Sequence, residues 1–193
     1  EAAVSFLQHL NFEHVLQRSN VTLLLKLHDQ QGEALTLGTP QSVGLVTAAL
    51  LFAGRFDQAS VCIDQLARFM PQPSACLQRQ LLARWQVLLG WLLHLSGDGE
   101  QSREHLLQAQ ASLDPEAWAL RLLCQLGLTQ QALLKGELAT AQWINRQALC
   151  LARAQGSLVF EGLLELDHAQ VLEQRGAPHR ADHLLSAVQG LLD

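Results

Sequence analysis

Along most of the chain, apolar residues recur every three to four positions, and polar residues fill the positions between them. This spacing is typical of amphipathic helices that bury one face. The strict alternation of a half-buried strand is not found. Boundaries placed at Gly, Pro and capping residues, among them Ser19-Asn20 and Asp114-Pro115, predict helices over the following ranges. They are 1–17, 21–28, 41–53, 56–69, 77–96, 101–113, 115–134, 138–155, 157–175 and 179–192.

A short pattern recurs between these helices: a glycine, a few polar residues, then a small residue that opens an apolar stripe. It occurs as GRFDQA at 54–59, GDGEQS at 97–102, GELATA at 136–141 and GAPHRA at 176–181. Successive glycines are 43, 39 and 40 residues apart. A nearly fixed period in this range is typical of a solenoid built from helical hairpins. Each glycine is expected to end a helix in the left-handed conformation.

Two further columns share this period. Five residues after the glycines, all the residues are small: Ala59, Ser102, Ala141 and Ala181. Twelve residues after them, all are apolar: Leu66, Ala109, Ala148 and Val188. Small residues allow two helix backbones to approach closely. The sequence therefore predicts an all-α fold, a right-handed superhelical solenoid of about five antiparallel hairpins.

The hairpins are expected to form a single helical-repeat domain over 1–193. The predicted units are a divergent first hairpin at 1–39, followed by 40–75, 76–114, 115–156 and 157–193. The chain begins at Glu1 without a methionine or a signal-peptide pattern. We therefore expect it to be a piece of a longer protein.

Two segments resemble a known family. They are LLFAGRFDQASVCIDQL at 50–66 and PEAWALRLLCQLGLTQQALLKGELATAQWINRQALCLARAQG at 115–156. They are similar to the tetratricopeptide-like region of MalT-type, LuxR-family transcriptional activators. The resemblance covers roughly 40–193 well and 1–39 loosely. The period near 40 is longer than the 34 residues of ordinary tetratricopeptide units and also falls near the range of HEAT units.

The resemblance implies a function. In such activators, this region lies between a nucleotide-binding part and a DNA-binding helix-turn-helix, and a small-molecule inducer or a regulatory protein acts on it. The segment itself contains no phosphate-binding loop and no basic recognition helix, so it is expected neither to hydrolyse ATP nor to bind DNA. We expect a cytoplasmic bacterial protein that needs no cofactor. The alternative is a general tetratricopeptide-type scaffold for protein–protein interaction, unrelated to transcription.

A candidate ligand site follows from polar residues at equal offsets from the glycines. Arg121, Gln125 and Thr129 are spaced by four and share one helix face. Residues at matching offsets on neighbouring hairpins are Gln86, Glu161 and Glu165, and Trp85 adjoins the first of these. Stacked hairpins would align these groups into a groove suited to a sugar or another small polar effector. The alternative is a solvated face, with Trp85 as a packing residue.

Composition and residue spacing limit which other kinds of binding and catalysis the sequence supports. The net charge of −5 gives no electrostatic support for nucleic-acid binding. Four cysteines lack C-x-x-C spacing and are expected to be reduced core residues, with the one at position 76 the most exposed. His179 and His183 share a helix face as metal ligands can, but without a third ligand they are interpreted as surface residues. No catalytic constellation is found, so we do not expect an enzyme.

Overall fold

The structure is a computed structural model, and it describes residues 10–16, 18–31 and 39–192. These residues contain ten helices and no strand, so the predicted all-helical fold is confirmed for them. The helices are α1 (Phe12–Val15), α2 (Arg18–Gln31), α3 (Pro40–Phe52), α4 (Phe56–Ala67), α5 (Ala75–Leu95), α6 (Gly99–Ser112), α7 (Trp118–Leu134), α8 (Leu138–Gln155), α9 (Leu158–Gln174) and α10 (Pro178–Leu192). The chain forms two compact units, Glu1–Leu120 and Arg121–Asp193.

The recurring glycines end helices in the way that the sequence predicts. At the end of α5, Gly97 has a φ of +91°. Its N–H donates to the His94 carbonyl at 3.2 Å, and the Asp98 N–H donates to the Leu93 carbonyl at 2.9 Å. These two bonds form a Schellman motif, which satisfies carbonyls that the helix end leaves without partners. The same pair of bonds closes the helices that end at Gly54, Gly136, Gly156 and Gly176.

Crowding is not the reason that glycine occupies these five positions, since a β-carbon built on any of them meets no atom within 4 Å. The left-handed backbone explains them, because glycine adopts a positive φ without steric cost. Five helix ends therefore depend on a local backbone requirement.

In the first unit, neighbouring helices pack in hairpins: α3 on α4, α4 on α5, and α5 on α6. α5 and α6 approach each other closely. There the Ser102 hydroxyl is fully buried and donates to the Gly90 carbonyl at 2.8 Å. A β-carbon on Gly90 would lie 2.8 Å from Leu106, so the missing side chain allows this contact. Ala59 is also fully buried, as the small-residue column predicts.

The second unit packs α8 on α9 and α9 on α10. One of its core clusters joins α7, α8 and α9 through Ala132, Leu133, Ala141 and Val171. Ala141 is fully buried, as its place in the column of small residues predicts. Nearby, the buried Asn145 side chain donates from Nδ2 to the Leu164 carbonyl at 2.8 Å and ties α8 to α9.

Several predicted boundaries differ from the structure, and three of them are described here. α2 begins at Arg18, because the Asn20 side chain donates to the His14 carbonyl at 2.8 Å instead of capping a helix. α7 begins at Trp118 and not at Pro115, since the Asp114 carboxylate accepts a hydrogen bond from Gln80. Within the predicted helix 1–17, Asn11 is a non-helical N-cap of the short α1. Residues 1–9 and most of the predicted loop before Pro40 lie outside the described residues.

Candidate functional site

The predicted polar stripe on α7 is largely buried within the second unit. Thr129 is fully buried, and its hydroxyl donates to the Gln125 backbone carbonyl at 2.9 Å. Gln125 is buried too, and its Oε1 accepts no hydrogen bond from any described residue. Arg121 is half-buried. Two of the three residues therefore do not present their polar groups on an open surface.

Glu161 and Glu165, predicted to flank this stripe, are joined by an arginine that the sequence analysis did not single out. Arg153 donates from Nε to Glu161 at 2.7 Å and from Nη2 to Glu165 at 2.6 Å. The hydrogen bond to Glu161 is the main cause that raises the Arg153 pKa. His168 Nδ1 lies 3.4 Å from the second oxygen of Glu165. Arg153 thus brings the two carboxylates together, and its guanidinium is already hydrogen-bonded to both of them.

Trp85 and Gln86 lie in the first unit, where both contact α6. Gln86 Nε2 donates to Gln108 Oε1 at 2.7 Å, and Gln108 donates in turn to Glu104 at 3.2 Å. The Trp85 ring meets the ring of His105 edge-on, with centroids 5.7 Å apart. Both side chains therefore support the α5–α6 hairpin. A ligand-binding role for the seven predicted residues stays a prediction.

The first unit also contains a cavity that the sequence analysis missed. Its volume is about 580 Å³, within the range of small-molecule sites. One wall is a face of α5, and the other is the segment between α6 and the first turn of α7. The lining residues are Cys76, Gln80, Ala83, Arg84, Leu113, Asp114, Pro115, Glu116, Ala117 and Leu120.

Arg84 is the cation of this cavity. Its side chain makes no hydrogen bond or ion pair with any described residue, and its Nε is buried. Burial lowers its pKa. The guanidinium lies over the Phe12 ring, 5.9 Å from the centroid, where the ring face attracts a cation. Beside it, a β-carbon on Gly44 would come within 2.9 Å of the Arg84 Cδ, so the glycine leaves room for the arginine.

A second cavity of about 160 Å³ lies against the same arginine. Arg84, Glu116, Ala117 and Leu120 line both cavities, and Asn11 and Gln41 add amide groups to the smaller one. Two lone signals in the sequence could have indicated the site. They are an arginine within the apolar run of α5 and a glycine in the interior of the apolar α3.

The carboxylates at the larger cavity differ in their partners. Asp114 accepts a hydrogen bond from Gln80 Nε2 at 2.9 Å, and its other oxygen lies 3.5 Å from Arg79 Nη2. Glu116 is exposed and makes no hydrogen bond or ion pair with a described residue. The cavity thus has one cation and one anion that the described residues do not neutralise.

A buried acid occupies the second unit. Asp167 on α9 is buried, and burial raises its pKa to about 7 despite a 3.4 Å hydrogen bond from Gln130. Its Oδ2 has no hydrogen-bond partner in the described part of the chain. Asp167 therefore changes charge near neutral pH.

None of the four cysteines, all of which lie in the described residues, forms a disulfide, and the predicted exposure of Cys76 is confirmed. Cys62 and Cys124 are buried as expected, whereas Cys150 is exposed and is not a core residue. Over the described ranges, no group of three or more His, Cys, Asp or Glu side chains could hold a metal ion. None of the helices described is both long and apolar enough to cross a bilayer.

Comparisons of the chain with protein-family models, with curated proteins and with solved structures found no match.

Proposed function

We propose that the chain is the effector-sensing region of a cytoplasmic bacterial transcriptional activator of the MalT-like, LuxR family. The observation that supports this most is the repetition of one hairpin geometry. Five helix ends close with the same two hydrogen bonds, and the small residue that follows four of the glycines is buried each time. Repeats of this kind stack into superhelical arrays whose surfaces bind ligands and proteins. An array of about five hairpins is part of the proposal.

In this proposal the region binds and does not catalyse. A small-molecule inducer or a regulatory protein would bind the repeats and favour one arrangement of the array over another. The 580 Å³ cavity beside Arg84 is large enough for the small molecule. ATP hydrolysis and DNA binding would belong to flanking parts of a longer protein.

The test begins with the coding sequence on either side of this chain. The proposal expects a nucleotide-binding region upstream and a helix-turn-helix downstream. In that full-length protein, a reporter gene should respond to the inducer, and the dose–response curve should shift when Arg84 or Arg121 is replaced by alanine. A reading frame without a DNA-binding region would contradict the proposal.

A second candidate is a tetratricopeptide-type scaffold that binds another protein. The second unit favours it, because several large apolar side chains are exposed there: Leu134, Trp143 and Leu158. Trp143 is the largest, with 63% of its surface exposed, and exposed tryptophans are frequent anchors of protein interfaces. A photo-crosslinker at position 143 in cells should then capture one defined partner, and Trp143→Ala should weaken that complex without lowering the melting temperature.

A further inference from the structure

Arg84 is held in an unusual setting for a cation. Charged atoms that are removed from water are normally paired, because their burial is costly, and the Nε of Arg84 is buried. The ring of Phe12 lies on one side of Arg84, and Gly44, which has no side chain, leaves room for it on another. None of the described residues brings a carboxylate within ion-pair distance. Arg84 lines two cavities. A ligand anion would supply the partner that the described residues do not provide.

Glu116 is the complementary feature. It lines the same two cavities as Arg84, yet the two side chains do not form an ion pair with each other. Asp114 is already engaged by Gln80 and Arg79. Glu116 is therefore the carboxylate that remains available to a ligand cation.

We propose that the larger cavity binds a small zwitterion, an amino acid or a short peptide. Its carboxylate pairs with Arg84, and its ammonium group pairs with Glu116. The planar fork of an arginine matches a carboxylate with two parallel hydrogen bonds. The apolar wall of Ala83, Leu113 and Leu120 accommodates the side chain of the ligand. This inference deepens the proposed function, since it names the class of effector.

Other ligand classes fit the cavity less well. An inorganic phosphate would satisfy Arg84 but would lie beside the carboxylates of Asp114 and Glu116. Repulsion between like charges weakens such a complex. A neutral sugar would leave both charges unpaired. A zwitterion neutralises both without adding net charge to the site.

The experiment uses the whole 193-residue chain. A thermal-shift screen of the standard amino acids and a set of dipeptides identifies the best zwitterion, and calorimetry measures its affinity. The same compound is then measured in its N-acetylated form, which lacks the ammonium, and in its amidated form, which lacks the carboxylate. We expect each blocked form to bind at least about tenfold more weakly, since each loses a charge-assisted hydrogen bond.

Two variants assign the contacts. Glu116→Gln should remove the preference for the free over the N-acetylated ligand, and Arg84→Gln should remove the preference for the free over the amidated ligand. Glu173→Gln, an exposed charge change in the other unit, should alter neither preference. If Arg84→Gln does not fold, Arg84→Lys replaces it and should weaken binding of every form that has a carboxylate.

Three results would overturn the inference: no zwitterion binds at millimolar concentration, the N-acetylated form binds as tightly as the free form, or phosphate binds more tightly than any zwitterion. These outcomes are separate from the proposed function. A chain that binds no zwitterion can still belong to an activator with a DNA-binding region, and a chain that binds one can lack such a region.

Discussion

Asp167 gives the sharpest prediction about stability. Its pKa in the folded protein is about 7, against the usual 3.8, because burial disfavours the carboxylate. Between these two pH values the folded chain binds more protons than the unfolded chain. The free energy of unfolding therefore falls as the pH rises from about 4 to about 7, and the contribution of this group is level above that window. The stability that the neutral acid contributes is complete below the unfolded pKa of 3.8 and is lost as the pH rises to the folded pKa of about 7.

The variant Asp167→Asn keeps the shape of the side chain and cannot ionise. Its Oδ1 still accepts from Gln130, and its Nδ2 replaces an oxygen that has no described partner in the native chain. A shift of about 3 pKa units corresponds to about 4 kcal/mol at most, since each unit is about 1.4 kcal/mol and relaxation around a buried charge lowers the total. Wild type and variant should be equally stable at pH 4, and the variant should be more stable by up to this amount at pH 8.

The assay is urea unfolding followed by circular dichroism at half-unit steps from pH 4 to pH 8. The difference between the two free energies of unfolding removes the contribution of the eight histidines, which both proteins contain. Asp182→Asn is the matched control, because Asp182 is exposed and in the same unit. Parallel pH profiles for wild type and Asp167→Asn would refute the argument that Asp167 is buried with a raised pKa.

Three further substitutions test a helix end and two packing contacts. Gly136→Ala should lower the free energy of unfolding by about 1 kcal/mol, because alanine is strained at a φ of +71°. Chemical denaturation measures this loss, and no loss would show that the turn is not left-handed. Ala141→Phe should cost about 1–3 kcal/mol or more through overpacking, and a melting temperature equal to that of the wild type would contradict its burial. Gly90→Ala should destabilise the folded chain, because the new methyl group clashes with Leu106. The loss of stability should be smaller in a Leu106→Ala background. If the two substitutions change the free energy of unfolding additively in this double-mutant cycle, the contact is contradicted.

The sequence predicts the helices and their ends well, and for a physical reason. Glycine at a left-handed helix end and a small residue five positions later are local requirements, so they are visible as residue types at fixed spacing. One error falls where a polar side chain has a distant partner. Asp114 has the residue type and position of an N-cap, but Gln80, which is 34 positions away, binds it. No local pattern indicates that contact.

The candidate sites show the same limit. Equal offsets predicted a stripe on one face of α7, but whether that face is open depends on what packs against it, and Thr129 is fully buried. The surroundings of Arg84 come from distant parts of the chain: Phe12 and Gly44 contact its side chain, and the segment before α7 forms the opposite wall of the larger cavity. Spacing along one helix cannot predict such a convergence. The available signals were an isolated charge in the apolar run of α5 and a glycine inside the apolar α3.

The five Schellman-closed helix ends have a consequence for how the chain folds. Each closing bond joins residues only three to five positions apart, as in the bonds from Gly97 to His94 and from Asp98 to Leu93. A helix can therefore acquire its stop and its reversal before distant segments meet, and contacts between residues near in sequence lower the entropy lost during folding. We expect hairpins such as α5–α6 to form early and quickly, so that several points along the chain can start folding at once.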